Sequence, residues 1–203
     1  MSTAFRAFVA GLAATSGLER AAVVLGLAYS LLAVRRSRWC WLCGGLSSLI
    51  FIYLSARARL PMQAGLQVFY VVMSVYGFRR WVQHEKNSDA RVSTWSLRAH
   101  LAAWGAILLL SVGSSRFLAA ETGAAWPFLD SVATWGSLLA TFLVVRMKLE
   151  NWLYWIAIDL VLAFLFSSQK LFFTALMYAT YLCISVAGFL AWLKTYRQQA
   201  RSH

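Results

Sequence analysis

The chain is 203 residues long, 61% hydrophobic, and carries a net charge of +12 from nineteen Lys and Arg against seven Asp and Glu. Charged residues make up only 13% of it and lie in short clusters between apolar runs of about 20 residues, which excludes a soluble globular domain and points to bilayer-spanning helices. The basic residues fall at the ends of those runs rather than on an aromatic-lined groove, so membrane lipid is the expected surrounding and nucleic acid is not an expected partner.

In chain order, residues 3–14 are weakly apolar, too short to span and without a cleavage pattern, so residues 1–18 read as an N-terminal peripheral segment. Spanning helices are predicted at 19–34, 39–56, 60–80, 97–116, 126–146, 150–167 and 170–193. Between the third and fourth lies the one long polar stretch, 83–96, read as a loop in which Thr94 or Ser96 caps the next helix. A basic tail covers 194–203. Cys40 and Cys43 form a C-x-x-C with no second ligand pair, so they read as small packing residues, and neither a metal nor a cofactor is expected.

An internal repeat organises these elements. At an offset of 111, Ala22 returns as Ala133, Arg35 as Arg146, Trp41-Leu42 as Trp152-Leu153, Leu60 as Leu171, and Ala64 as Ala175. The register continues without a gap through Tyr70/Tyr181, Ser74-Val75/Ser185-Val186, Gly77-Phe78/Gly188-Phe189 and Trp81/Trp192, and Arg59 and Lys170 share one turn. Repeats fix architecture before any local motif does, and in a membrane protein they place a pathway at the interface between copies. The fold expected is an all-α polytopic membrane protein of seven transmembrane helices, arranged as two three-helix repeats (19–82 and 119–193) joined by a loop and linker helix (83–118). Three helices plus one bring the second copy into the membrane in the same direction, so the repeats are parallel. Thirteen Lys and Arg fall on the side holding the 35–38, 79–98 and 146–148 loops and the C-terminus, against six on the other, which predicts a cytoplasmic C-terminus.

Few polar side chains occur at membrane depth. Asn151, Trp152, Trp155 and Asp159 share one face of the sixth helix, and an acid two turns inside a span is a functional candidate. The third helix carries Gln67, Tyr70, Ser74, Gly77 and Trp81 as a single stripe, repeated in the seventh as Tyr178, Tyr181, Ser185, Gly188 and Trp192. The Ser and Gly residues suit close helix packing, and Trp81 and Trp192, beside basic residues, read as interface anchors. Thr134, Ser137 and Thr141 give the fifth helix a milder polar face. Aromatic rings with a few amides and one carboxylate suit a flat, preferably cationic, heteroaromatic ligand, whereas no Arg or Lys on these faces awaits a phosphate. An enzyme is not expected, because His84 and His100 lie near a loop, His203 is terminal, and no nucleophile–base pair is present. No nucleotide-binding G-x-x-x-x-G-K-[ST] stretch occurs, so ATP coupling within this chain is not expected either.

The parallel repeat, the stretch Glu150-Asn151-Trp152-Leu153-Tyr154-Trp155-Ile156-Ala157-Ile158-Asp159 and the Gln67-x-x-Tyr70…Gly77-x-x-x-Trp81 stripe together resemble the PnuC family of bacterial nicotinamide riboside transporters, which is similar in architecture to the SWEET sugar transporters. The resemblance covers about residues 19–193. It implies import of a non-phosphorylated vitamin across the bacterial inner membrane by facilitated diffusion, trapping by a cytoplasmic kinase, and a homotrimer with one pathway per protomer. It also implies that Trp152 and Trp155 flank the ligand ring, with Asn151, Asp159, Gln67 and Tyr70 as polar contacts; Tyr178 and Thr134 complete the candidate set. The chain departs from the family at Gly77-Phe78, where Gly-Trp is usual. Thiamine or another vitamin or nucleoside is therefore the alternative cargo, and a non-transporting membrane scaffold the alternative class.

Overall fold

The computed structural model describes residues 16–57, 61–86, 91–122, 126–169 and 171–201. Arg59, Leu60, Lys170 and the expected peripheral segment up to residue 15 lie outside them. The described residues form seven helices: α1 (Gly17–Val34), α2 (Trp39–Arg57), α3 (Pro61–Lys86), α4 (Leu97–Thr122), α5 (Pro127–Val145), α6 (Asn151–Ser168) and α7 (Phe172–Arg201). No strand occurs among them, only an isolated bridge between Ser93 and Lys148.

Six of the seven helices are long and apolar enough to cross a membrane; α3 is the exception. The reason lies in what it carries. Gln63, Gln67 and Ser74 on its body and Arg79, Arg80, His84, Glu85 and Lys86 at its end lower its hydropathy. Helices α3, α4 and α7 also run further than expected, to Lys86, Thr122 and Arg201. Part of the polar stretch and most of the basic tail are thus helical turns, and Glu85 on the last turn of α3 meets Arg38 at 2.6 Å. The 91–96 segment is tied down rather than free. Ser93 exchanges backbone hydrogen bonds with Met147 and Leu149, Lys148 Nζ donates to the Thr94 carbonyl, and Ser96 Oγ caps α4 by accepting from Ala99 N–H.

Within each repeat the helices pack in the same order, α1 on α2 on α3 and α5 on α6 on α7, and α4 lies against α5. The repeats meet through α1 against α7 and α3 against α5. Each first helix therefore touches the last helix of the other copy, as a two-fold axis along the membrane normal requires. The offset of 111 extends to turn geometry. After α1, Arg36 N–H bonds the Ala33 carbonyl and Ser37 N–H the Leu32 carbonyl; after α5, Met147 N–H bonds Val144 and Lys148 N–H bonds Leu143. These are matching Schellman caps, with Arg36 (φ 55°) and Met147 (φ 51°) in the left-handed region that glycine usually occupies.

Four tryptophans build the centre of this end. Gly77 lets α3 close onto the Trp41 indole, and Gly188 lets α7 close onto that of Trp152, where an added Cβ would sit 2.6 Å from ring atoms. Small residues of this kind permit close helix approach in a bilayer, where apolar burial drives little. Trp41 and Trp81 meet edge-on at 5.5 Å, Trp152 and Trp192 at 5.6 Å, and Trp81 and Trp192 at 6.4 Å across the axis. Trp81 and Trp192 are each 0% exposed, so they are not interface anchors. Instead Trp81 Nε1 donates to the Val145 carbonyl (3.2 Å), and Trp192 Nε1 donates to those of Val34 (3.1 Å) and Ala33 (3.2 Å). Carbonyls in the last turn of a helix lack partners within that helix, and for Val34 and Val145 each repeat supplies a donor to the other.

Candidate functional site

Between the two repeats lies a cavity of about 230 Å³. Its walls come in equivalent pairs from both copies. Trp41 faces it with Trp152, Ser30 with Thr141, Tyr70 with Tyr181, and Ser74 with Ser185. Three further pairs differ in chemistry: Gly44 against Trp155, Ser48 against Asp159, and Gln67 against Tyr178. Phe51 and Tyr29 complete the aromatic lining, and Tyr29 occupies the space that Gly44 vacates, where a Cβ would lie 2.9 Å from its ring.

Of the sequence-predicted residues, Trp152, Trp155, Asp159, Gln67, Tyr70 and Tyr178 come together on this cavity. Asn151 and Thr134 do not line it. Asn151 is fully buried one turn away, its Nδ2 donating to the Lys148 carbonyl at 2.6 Å, so it holds the start of α6. Thr134 sits about two turns from Thr141 on α5, and Thr141 reaches the cavity in its place while donating to the Ser137 carbonyl. Ser185, read as a packing residue, lines the cavity and donates to Asp159 Oδ2 at 3.0 Å. That bond joins α7 to α6 and orients the carboxylate.

Asp159 is 3% exposed and is the one acid among the described lining residues, which include no Lys or Arg. The indole Nε1 atoms of Trp41 and Trp152, again equivalent positions, are buried without a protein partner. The sequence pairs Ser48 with Asp159 across the repeats, but sequence reasoning passed over Tyr29, Ser30, Ser47 and Phe51. A signal existed, since Gly26, Tyr29 and Ser30 recur at i, i+3 and i+4 on α1 and Ser47, Ser48 and Phe51 share a face of α2. No group of three or more His, Cys, Asp or Glu able to hold a metal ion occurs among the described residues.

A helical membrane bundle of two parallel repeats with an aromatic, nearly uncharged cavity between them has the architecture of a transporter. The chain belongs to the nicotinamide mononucleotide transporter family, whose model matches residues 16–194. It is 27% identical over 184 residues to the riboflavin/roseoflavin transporter RibM of Streptomyces davaonensis, spanning 88% of this chain and 85% of that one. It is 23% identical over 160 residues to the nicotinamide riboside transporter PnuC of Escherichia coli, spanning 66% of this chain and 67% of the other. A solved structure, the crystal structure of the vitamin B3 transporter PnuC, superposes with a TM-score of 0.73 at 23% identity, covering 96% of this chain and 88% of that one. The fold is therefore that of a multi-pass membrane transporter, and the family is one of transporters rather than enzymes.

Proposed function

We propose that this protein imports nicotinamide riboside by facilitated diffusion, with Trp155 and Asp159 as the centre of the binding site. The observation that supports this most is the composition of the cavity wall. It presents aromatic faces from both repeats, a single carboxylate and, among the described lining residues, no Lys or Arg. The nicotinamide ring of the riboside is a cationic pyridinium, which aromatic faces and a nearby carboxylate both favour. A mononucleotide would bring a phosphate into a wall with no cation to meet it.

In this reading Trp152 and Trp155 flank the ring, while Gln67, Tyr70 and Tyr178 meet the ribose and carboxamide. Asn151 acts through the start of α6 rather than by contact. The unpaired Trp41 and Trp152 indoles are donors available on residues of the same wall. Alternating access proceeds by rocking of the two triplets, the cross-repeat tryptophan bonds holding one end shut and parting when that end opens. The basic end, with the C-terminus, faces the cytoplasm of a bacterial inner membrane, where a kinase traps the riboside. The protein assembles as a homotrimer with one pathway per protomer.

A second reading, riboflavin as cargo, is favoured by the likeness to RibM over 88% of this chain. The cavity size favours the riboside, because about 230 Å³ lies below the usual range of roughly 300–1,000 Å³ and a three-ring isoalloxazine needs more room than a single pyridinium. Uptake of labelled nicotinamide riboside into vesicles carrying the purified protein separates the two. Unlabelled riboside should compete, with riboflavin, thiamine and nicotinamide mononucleotide competing weakly; competition by riboflavin but not by riboside would reverse the assignment.

A further inference from the structure

A second cavity, of about 430 Å³, opens between the linker helix α4 and the start of α6. It shares no residue with the transport cavity, because α6 presents Trp152, Trp155 and Asp159 to one side and Leu153 and Tyr154, with Glu150 just ahead of the helix, to the other. Its inner wall is a stacked column. The Tyr154 ring lies against Trp104 (5.6 Å, 16° between planes) and His100 (5.9 Å, 28°), and the Tyr154 hydroxyl is 3.0 Å from His100 Nδ1. Glu150 supplies the acceptor. Its Oε1 takes the Trp95 backbone N–H at 2.8 Å and stands 3.6 Å from His100 Nε2. Its Oε2 is buried with no partner in the protein. A buried carboxylate oxygen without a donor is left desolvated and uncompensated, so its environment calls for a donor from outside the chain.

The surroundings identify which donor. The cavity lies at the end of the spanning helices, beside the 91–96 segment and the 146–150 turn, and the ends of bilayer-spanning helices are where lipid headgroups are expected. From its mouth, Leu97, Leu101, Trp104 and Leu108 run along α4 at i, i+4, i+7 and i+11, with Leu97 73% and Leu101 64% exposed. That stripe is an apolar track leading down from a polar head pocket. We infer that this cavity holds one phospholipid whose headgroup ends in a primary ammonium, donating to Glu150 Oε2, with an acyl chain along the α4 stripe. A quaternary ammonium has no N–H to give, so the site discriminates by hydrogen bonding rather than by charge alone. The lipid wedges α4 against α6 on the face opposite the transport cavity and stabilises the helix that carries Trp155 and Asp159.

Thermal unfolding of the full-length protein in mixed micelles, followed by tryptophan fluorescence, tests this. Phosphatidylethanolamine should raise the melting temperature above that in phosphatidylcholine or phosphatidylglycerol by about 5 °C near saturation. Glu150→Gln keeps an acceptor for Trp95 N–H but places an amide where Oε2 stood, and should erase that difference. Equal shifts with all three lipids, or an undiminished ethanolamine preference in a folded Glu150→Gln, would overturn the inference. If soluble ethanolamine alone reproduces the full shift, the occupant is a free amine and the lipid assignment fails. The comparison among lipids on the unaltered protein decides the matter even where the variant does not fold.

Discussion

Helix α2 of the first repeat turns Gly44 and Ser48 toward the inter-repeat cavity, and α6 of the second turns Trp155 and Asp159 toward it from equivalent positions. The backbones around them match closely. Both helices start after a left-handed residue in a Schellman cap, both seat a tryptophan against a glycine of the third helix, and both repeats trade an indole hydrogen bond for a helix-end carbonyl of the other. The duplicated chain has kept the backbone of its joints alike and let three facing pairs of its cavity wall diverge. Symmetry lets two triplets rock about one axis, while a ligand without two-fold symmetry needs walls that differ.

The joints supply the largest expected effect. Gly77→Val and Gly188→Val each drive a side chain into an indole with no room to retreat, and each should cost about 3 kcal/mol or more and abolish monodisperse protein on size exclusion. The two variants should fail alike; tolerance of one alone would break the equivalence of the joints. The walls come next. Asp159→Ser installs the residue that the first repeat uses and should lower riboside transport at least about tenfold while leaving the protein folded, since a hydrogen-bonded charge is worth about 1.5–3 kcal/mol. Ser48→Ala at the matching position should change transport far less.

Trp81→Phe and Trp192→Phe keep the ring packing but remove the donors to Val145 and Val34. Each should lower stability by about 1–2 kcal/mol in thermal unfolding, and by similar amounts in the two copies. The smallest effect concerns the turns. Arg36→Gly should raise stability by about 0.5–1 kcal/mol, because a half-buried Arg held at φ 55° gains from glycine's freedom. Met147→Gly should instead lower it, since Met147 is buried in the tryptophan cluster and loses its packing.

What the sequence made legible follows from how each feature is encoded. Register survives duplication as residue identity, so the pairing of Trp41 with Trp152 and Gly77 with Gly188 was readable, and with it the order of helices. The cavity wall on the second repeat was readable because Trp155 and Asp159 are costly at membrane depth without a purpose. The caps were not, because Arg36 and Met147 share a backbone conformation and nothing else, and neither is glycine. Trp81 and Trp192 were misplaced because a tryptophan beside Arg or Lys looks the same whether it faces lipid headgroups or the carbonyls of a neighbouring helix. Asn151 and Thr134 share faces with wall residues but lie a turn or two away along their helices, and helical periodicity fixes the face more firmly than the depth. Tyr29 and Phe51 escaped because the small residues that share their helix faces, Gly26, Ser30, Ser47 and Ser48, read equally well as close helix packing, and only the absent side chain at Gly44 shows where the Tyr29 ring goes.

Calorimetric titration of nicotinamide riboside into purified wild-type protein and into Trp155→Gly, the residue the first repeat carries, tests most directly whether the ligand sits where the copies differ. Saturable binding by the wild type, lost by at least about tenfold in a variant that melts normally, is the expected result. Undiminished binding by the folded variant would place the ligand elsewhere and contradict the divergence of the walls as the basis of the site.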